Sequence, residues 1–119
     1  MVLRYLALGD SYTIGTGASD PSRAWPSIIA RRLEHEMGLA VELTNPAVNG
    51  FTTEDLIEHE LPDLARLRPD LVTVLIGVND LVRDRSATHY GAVLRRIYDE
   101  IASSAARHGR RRRSSMPRG

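Results

Sequence analysis

Residues 6–15, Leu-Ala-Leu-Gly-Asp-Ser-Tyr-Thr-Ile-Gly, decide the fold class of this chain. The apolar run that begins at residue 2 leads directly into a glycine, an aspartate and a serine. A nearly continuous apolar run of this length is typical of a strand that is covered on both faces of a sheet. Glycine and small polar residues after such a strand indicate a tight turn. The stretch therefore predicts a buried strand over residues 2–8 and a turn that carries Ser11.

Helical and strand patterns alternate along the rest of the chain. Apolar residues recur at helical spacing after Pro26, and Gly38 suits the end of that helix. The further predicted elements are a strand over 41–43, a helix from Thr52 or Thr53 that Pro62 kinks or divides, a strand over 71–76 and a helix over 88–106. This alternation predicts a parallel sheet with right-handed crossovers and helices on both faces.

The composition excludes several classes of protein. Hydrophobic residues make up 42% and charged residues 26%, as in a single globular domain. Cysteine is absent, which excludes disulfides and thiolate metal sites, and no His or carboxylate cluster has metal-ligand spacing. No apolar run approaches the roughly 20 residues that span a bilayer, and residues 1–5 lack a secretory signal. We therefore predict a cytoplasmic protein with no metal and no membrane partner.

The charge is divided unevenly along the chain. Residues 1–106 carry 10 arginines and 15 acidic residues, whereas residues 107–119 carry 6 arginines and no acid. We predict a domain over 1–106 and a basic, disordered tail over 107–119. An arginine-rich tail attracts nucleic acid nonspecifically. The domain is acidic, however, and no recognition motif accompanies the tail, so nucleic acid is not a predicted partner.

Glycine, asparagine and serine follow each predicted strand. The three segments are residues 9–12, 45–50 and 77–80. Ligands of open parallel sheets bind beyond the carboxyl ends of the strands, so these segments form the candidate site. Asp10 and Asp80 lie within them and are predicted to act as turn and capping groups.

These segments resemble the sequence blocks of the SGNH, or GDSL, hydrolase superfamily. Gly-Asp-Ser-Tyr-Thr-Ile-Gly matches the first block, Asn-Pro-Ala-Val-Asn-Gly-Phe-Thr-Thr the second, and Ile-Gly-Val-Asn-Asp the third. The resemblance covers residues 2–106. It implies a three-layer α/β/α sandwich of flavodoxin-like type, with the strands in the order 2-1-3. It also implies an esterase or lipase-like enzyme that acts on a small-molecule ester and uses no cofactor.

The resemblance assigns a role to three residues. Ser11 corresponds to the nucleophile that attacks the ester carbonyl. The oxyanion hole corresponds to the backbone N–H groups of Ser11 and Gly50 and the side-chain amide of Asn79. Preorganised donors of this kind stabilise developing charge, and loss of one typically lowers turnover by about 10²–10³.

The Asp-x-x-His block that supplies the acid and base of the family is missing from this sequence. His35 and His59 lie between glutamates on polar helix faces, and His108 lies in the predicted tail. His89 is the internal candidate for a base. Two hypotheses therefore stay open: an active serine hydrolase, or an inactive truncated remnant or binding module. With three strands the predicted sheet is incomplete, and its open edge predicts self-association.

The glycines of this region fit nucleotide-binding motifs and other hydrolase motifs less well. Asp20 occupies the place of the third glycine of a dinucleotide fingerprint. A phosphate-binding Walker loop needs lysine, which the chain lacks. An α/β-hydrolase elbow needs glycine where Thr13 stands.

Overall fold

Three parallel strands form the centre of the molecule. The computed structural model describes residues 2–15 and 20–115, without the side chains of Pro21 and residues 108–115. The strands are β1 (Val2–Gly9), β2 (Ala40–Thr44) and β3 (Leu71–Leu75), in the spatial order β2-β1-β3. The predicted parallel sheet and the strand order 2-1-3 are confirmed.

Helices connect and cover these strands. The described ones are α1 (Ser11–Ile14), α2 (Trp25–Met37), α3 (Thr53–His59), α4 (Asp63–Leu67), α5 (Val78–Val82) and α6 (Ala87–Ser115), with a 3-10 turn at Pro21–Arg23. None of them combines the length and the apolar character that a bilayer crossing requires.

Successive residues of β1 pack on opposite faces of the sheet, as a strand dictates. Tyr5 and Ala7 pack on one face with Ala30 of α2. On the other face, Leu6 and Leu8 form a buried cluster whose members include Leu56 of α3 and Ile97 of α6. Helices therefore cover both faces of the sheet, as the continuous apolar pattern of the first strand predicts.

The register places the carboxyl end of β1 beside β3. Val2 to Leu6 pair with Ala40 to Thr44, whereas Tyr5 to Gly9 pair with Leu71 to Leu75. The turn after β1 consequently starts next to the turn after β3. The three predicted site segments follow the carboxyl ends of the three strands.

Three differences from the predicted elements concern helices. The turns after β1 and β3 contain the short helices α1 and α5 rather than irregular loops. The last helix does not end at Ala106 but continues to Ser115, because arginine favours helix even where no apolar periodicity marks it. The backbone of residues 107–115 is therefore helical, and residues 116–119 lie outside the described residues. The predicted break at Pro62 is confirmed, since this residue separates α3 from α4.

Candidate functional site

Ser11 is the first residue of α1, directly beyond the end of β1. Asp10 caps this helix: its Oδ1 accepts a hydrogen bond from the Tyr12 N–H at 3.0 Å, which confirms it as a capping group. The cap is buried, whereas Ser11 is half-buried. The first N–H groups of a helix have no acceptor within it, so the Ser11 N–H is directed outward from the helix end.

Gly9 permits the close packing that starts this turn. A Cβ at this position would lie 2.5 Å from the carbonyl oxygen of Leu75 and closer still to Oγ1 of Thr13. Thr13 is fully buried, and its hydroxyl donates to the same Leu75 carbonyl at 3.5 Å. Any side chain at residue 9 would therefore force the first and third strand ends apart.

The second segment is tied to the first through Asn45. Its side-chain amide donates to the carbonyl of Thr13 at 2.8 Å, and its own oxygen accepts from the Ala47 N–H at 3.3 Å. Gly50, further along, has a φ of 82°, which favours glycine. The guanidinium of Arg83 donates to the Gly50 carbonyl at 3.2 Å.

The third segment is tied to the second through Asn79. This residue lies in α5, is half-buried, and donates from Nδ2 to the carbonyl of Phe51 at 3.0 Å. That bond uses one of the two amide hydrogens and fixes the plane of the amide, so the second hydrogen remains available as a donor. Gly77 precedes α5 with a φ of 143°, and a Cβ there would lie 2.7 Å from the hydroxyl of Tyr90.

Hydrogen bonds thus connect the three sequence blocks that carry the predicted site residues. The structure places Ser11, Gly50 and Asn79 beyond the carboxyl ends of β1, β2 and β3 respectively. Their roles in chemistry stay predictions. Within residues 2–15 and 20–115, no three His, Asp or Glu residues form a group that could hold a metal ion.

Comparison with protein-family models identifies the family of this chain. The model of the GDSL-like lipase/acylhydrolase family matches residues 7–110, which include all three segments. The chain belongs to this family. Among curated proteins, none matches the chain.

Several solved structures, two of the three below being esterases, share the fold. The esterase EstA from Pseudoalteromonas sp. is 19% identical, with a TM-score of 0.72 over 86% of this chain and 55% of that one. TesA is 25% identical, with a TM-score of 0.75 over 86% and 56%. A family 3 carbohydrate esterase from Clostridium thermocellum is 22% identical, with a TM-score of 0.70 over 87% and 57%. The chain therefore spans little more than half the length of these structures.

The histidines of this GDSL-family chain lie on helices. The imidazole of His89, the third residue of α6, is hydrogen bonded through Nε2 to Oε1 of Glu54. His59 is exposed, and its ring lies 5.4 Å from that of Phe51. His35 is exposed on α2, and the side chain of His108 lies outside the described residues. The described contacts of His89 therefore join it to α3 rather than to the turn that carries Ser11.

Glu60 is a buried residue beside the candidate site that sequence reasoning missed. It is completely buried and accepts a hydrogen bond from the Gly9 N–H, 51 residues away, at 2.9 Å. Burial is the main cause that raises the pKa of Glu60 from 4.5 to about 7; the Gly9 bond lowers it, and nearby Asp10 and Asp63 raise it further. A sequence signal does exist, because Glu60 lies four residues after the buried Leu56, one turn further along the apolar face of α3 at its carboxyl end.

Proposed function

We propose that this chain hydrolyses carboxylic esters by acyl transfer, with Ser11 as the nucleophile. Membership of the GDSL-like family and the esterase structures that share its fold support this class of reaction. The observation that carries the proposal is the bond from Asn79 to the Phe51 carbonyl, at 3.0 Å. It orients an amide donor beside the segment that contains Gly50.

In the proposed reaction, Oγ of Ser11 attacks the ester carbonyl carbon and forms a tetrahedral oxyanion. The N–H groups of Ser11 and Gly50 and the amide of Asn79 donate to that oxyanion. A neutral amide suits this role because it does not titrate near pH 7. Collapse of the intermediate expels the alcohol and leaves an acyl group on Ser11, which water then removes.

The serine proton needs an acceptor for this sequence to run fast. The Asp-x-x-His block of the family does not occur in these 119 residues. Candidate bases are His89, after release from Glu54, or a residue of another chain. Without a base, an oxyanion hole and substrate binding still give about 10³–10⁴-fold over water in comparable serine enzymes.

A second candidate function is ester binding without turnover. The observation that favours it is the partner of His89, whose imidazole is held by Glu54 on α3. A chain of this kind would keep the donors that bind a carbonyl oxygen and leave Ser11 unactivated.

Covalent labelling and turnover separate the two functions. The chain would be treated with a fluorophosphonate probe and assayed with p-nitrophenyl acetate, beside Ser11→Ala and the control Ser103→Ala on the exposed face of α6. An active hydrolase is labelled at Ser11 and loses turnover in Ser11→Ala alone. Equal background rates and no label in all three folded proteins would overturn the hydrolase proposal and favour the binding function.

A further inference from the structure

Glu60 connects the carboxyl end of α3 to the backbone that precedes Ser11. It follows the last residue of α3, and its side chain is 0% exposed. Oε1 accepts the Gly9 N–H at 2.9 Å. Oε2 is also buried and has no hydrogen-bond partner within the described part of the chain. Buried polar atoms are normally satisfied, so this second oxygen indicates a functional or strained position.

The strand end at Gly9 is held from two directions. The carbonyl of Leu75 and the hydroxyl of Thr13 pack so closely on one side that residue 9 has no room for a Cβ. Glu60 holds the N–H of the same residue. Gly9 lies two residues before Ser11, so a displacement of the Glu60 carboxyl moves the start of the turn that carries the nucleophile.

The charge around Glu60 is negative. Asp10, from the junction of β1 and α1, and Asp63, from α4, both act against ionisation of Glu60. Asp80 of α5 acts on Asp10 in the same sense, while burial is the main cause that raises the pKa of Asp10. An ionised Glu60 would be a buried carboxylate facing other carboxylates. The Gly9 N–H bond favours the ionised form, but burial and the neighbouring carboxylates outweigh it, so the folded chain keeps the Glu60 proton to a higher pH than an ordinary glutamate does.

We propose that Glu60 is a positioning residue for Ser11, which holds the Gly9–Ser11 turn in its reactive geometry while neutral and disturbs it when it ionises. The proposal rests on the function of Ser11 proposed above. A negative charge near this turn also opposes the oxyanion that forms during attack, so ionisation of Glu60 lowers the reactivity of Ser11 on both grounds.

The first test compares the pH dependence of fluorophosphonate labelling of Ser11 in the wild-type chain, Glu60→Gln and Glu60→Leu. Glutamine keeps an oxygen for the Gly9 N–H and cannot ionise. The ratio of the Glu60→Gln rate to the wild-type rate is expected to rise roughly three- to tenfold between about pH 6 and pH 8, equivalent to at most one pKa unit of coupling. Glu60→Leu is expected to react slowly at every pH. A pH-independent ratio for Glu60→Gln would overturn the proposal.

The second test does not require a reactive Ser11. Amide NMR of the wild-type chain is expected to show the Gly9 and Ser11 N–H signals shifting with one midpoint near neutral pH, and these shifts are expected to vanish in Glu60→Gln. Glu58→Gln serves as the control, because Glu58 is exposed in the last turn of α3, two residues before Glu60. If Ser11 is unlabelled but the shifts follow Glu60, the hydrolase proposal fails, and the control that Glu60 exerts on the geometry of the Gly9–Ser11 turn stands without it. Shifts that persist in Glu60→Gln would overturn that role.

Discussion

Thr53 donates two hydrogen bonds to the carboxylate of Asp80, one from its backbone N–H at 2.9 Å and one from its hydroxyl at 2.6 Å. Both residues are buried. Asp80 directly follows Asn79, and Thr53 lies three residues after Gly50. The pair therefore joins the sequence blocks that carry Gly50 and Asn79, two of the proposed oxyanion donors. Asp80 accepts the first N–H of α3, in line with the predicted capping role, while Thr52 is the N-cap residue of that helix. Hydrogen bonds to a charged acceptor are among the stronger ones in proteins.

The hydroxyl of Thr53 should contribute measurably to stability. Thr53→Val keeps the shape of the side chain but leaves an oxygen of Asp80 without a partner, so we expect it to lower the free energy of unfolding by about 1–3 kcal/mol in urea titrations. Thr53→Ser keeps the hydroxyl and loses one methyl group, at a cost of about 0.8 kcal/mol. A valine variant as stable as the serine variant would contradict this account of the pair.

Gly9→Ala tests the close packing beneath Ser11. The new Cβ would meet the Leu75 carbonyl at 2.5 Å, and backbone cannot yield as a flexible side chain can. We expect a loss of about 1–3 kcal/mol or more, as for other overpacked sites. In contrast, a Cβ at the helical Gly91 meets nothing within 4 Å, so Gly91→Ala should gain about 0.5–1 kcal/mol. Thermal unfolding of both variants measures these changes in stability. A Gly9→Ala variant as stable as the wild-type chain would contradict this account of the packing.

The sheet could be predicted from the sequence because its strands are marked locally. Residues 2–8 and 71–76 are nearly uninterrupted apolar runs, a pattern typical of strands covered on both faces. In the structure β1 is buried from Tyr5 onward, whereas β3 is only partly buried. The short helices α1 and α5 could not be predicted, since four or five residues are too few to show helical periodicity. The extension of α6 beyond Ala106 could not be predicted either, because the arginines there favour helix but form no apolar face that would mark one.

The candidate site could be predicted only in part. Three segments at strand ends follow from topology, since parallel strands bring their carboxyl ends to one edge. The contacts that fix them, such as Asn45 with Thr13 or Glu60 with Gly9, join residues 32 and 51 positions apart. No local pattern encodes such pairs. The spacing of Glu60 from Leu56 indicates that Glu60 is buried, but nothing in the sequence indicates that Gly9 is its hydrogen-bond partner.

Glu60 should give the stability of the fold a distinctive pH dependence. Its pKa is 4.5 as an ordinary glutamate and about 7 in the folded chain, mainly because of burial. The folded state therefore binds this proton more readily, and the free energy of unfolding should fall as the pH rises from about 4.5 to about 7. Burial also raises the pKa of Asp10, and this adds to the fall in the free energy of unfolding at the lower end of that pH range. Asp55, whose pKa is lowered mainly by its bond from the Thr52 backbone, acts oppositely in acid.

The size of this effect is measurable by urea titration at several pH values. We expect a decrease of about 1–3 kcal/mol across the window, at about 1.4 kcal/mol per pKa unit. Glu60→Gln should flatten the curve and be more stable than the wild-type chain at pH 8. Glu58→Gln, an exposed neighbour, should keep the wild-type slope. A wild-type curve that rises between pH 5 and 7 would show that Glu60 is ionised in the folded chain.

The outer edge of β3, which pairs with no further strand within the described residues, should pair with a second copy of the chain. Its sequence, Leu-Val-Thr-Val-Leu, reads the same in both directions, so an antiparallel pair about a two-fold axis at Thr73 matches Leu71 with Leu75. The edge carries no charge or proline to block such pairing. We expect sedimentation velocity to show concentration-dependent dimers that Leu75→Lys weakens. The control is Ile28→Lys on α2, because Ile28 is 49% exposed and Leu75 is 48% exposed. This control variant should leave the dimers intact. Monomers at every concentration, or equal weakening by both variants, would refute pairing through β3.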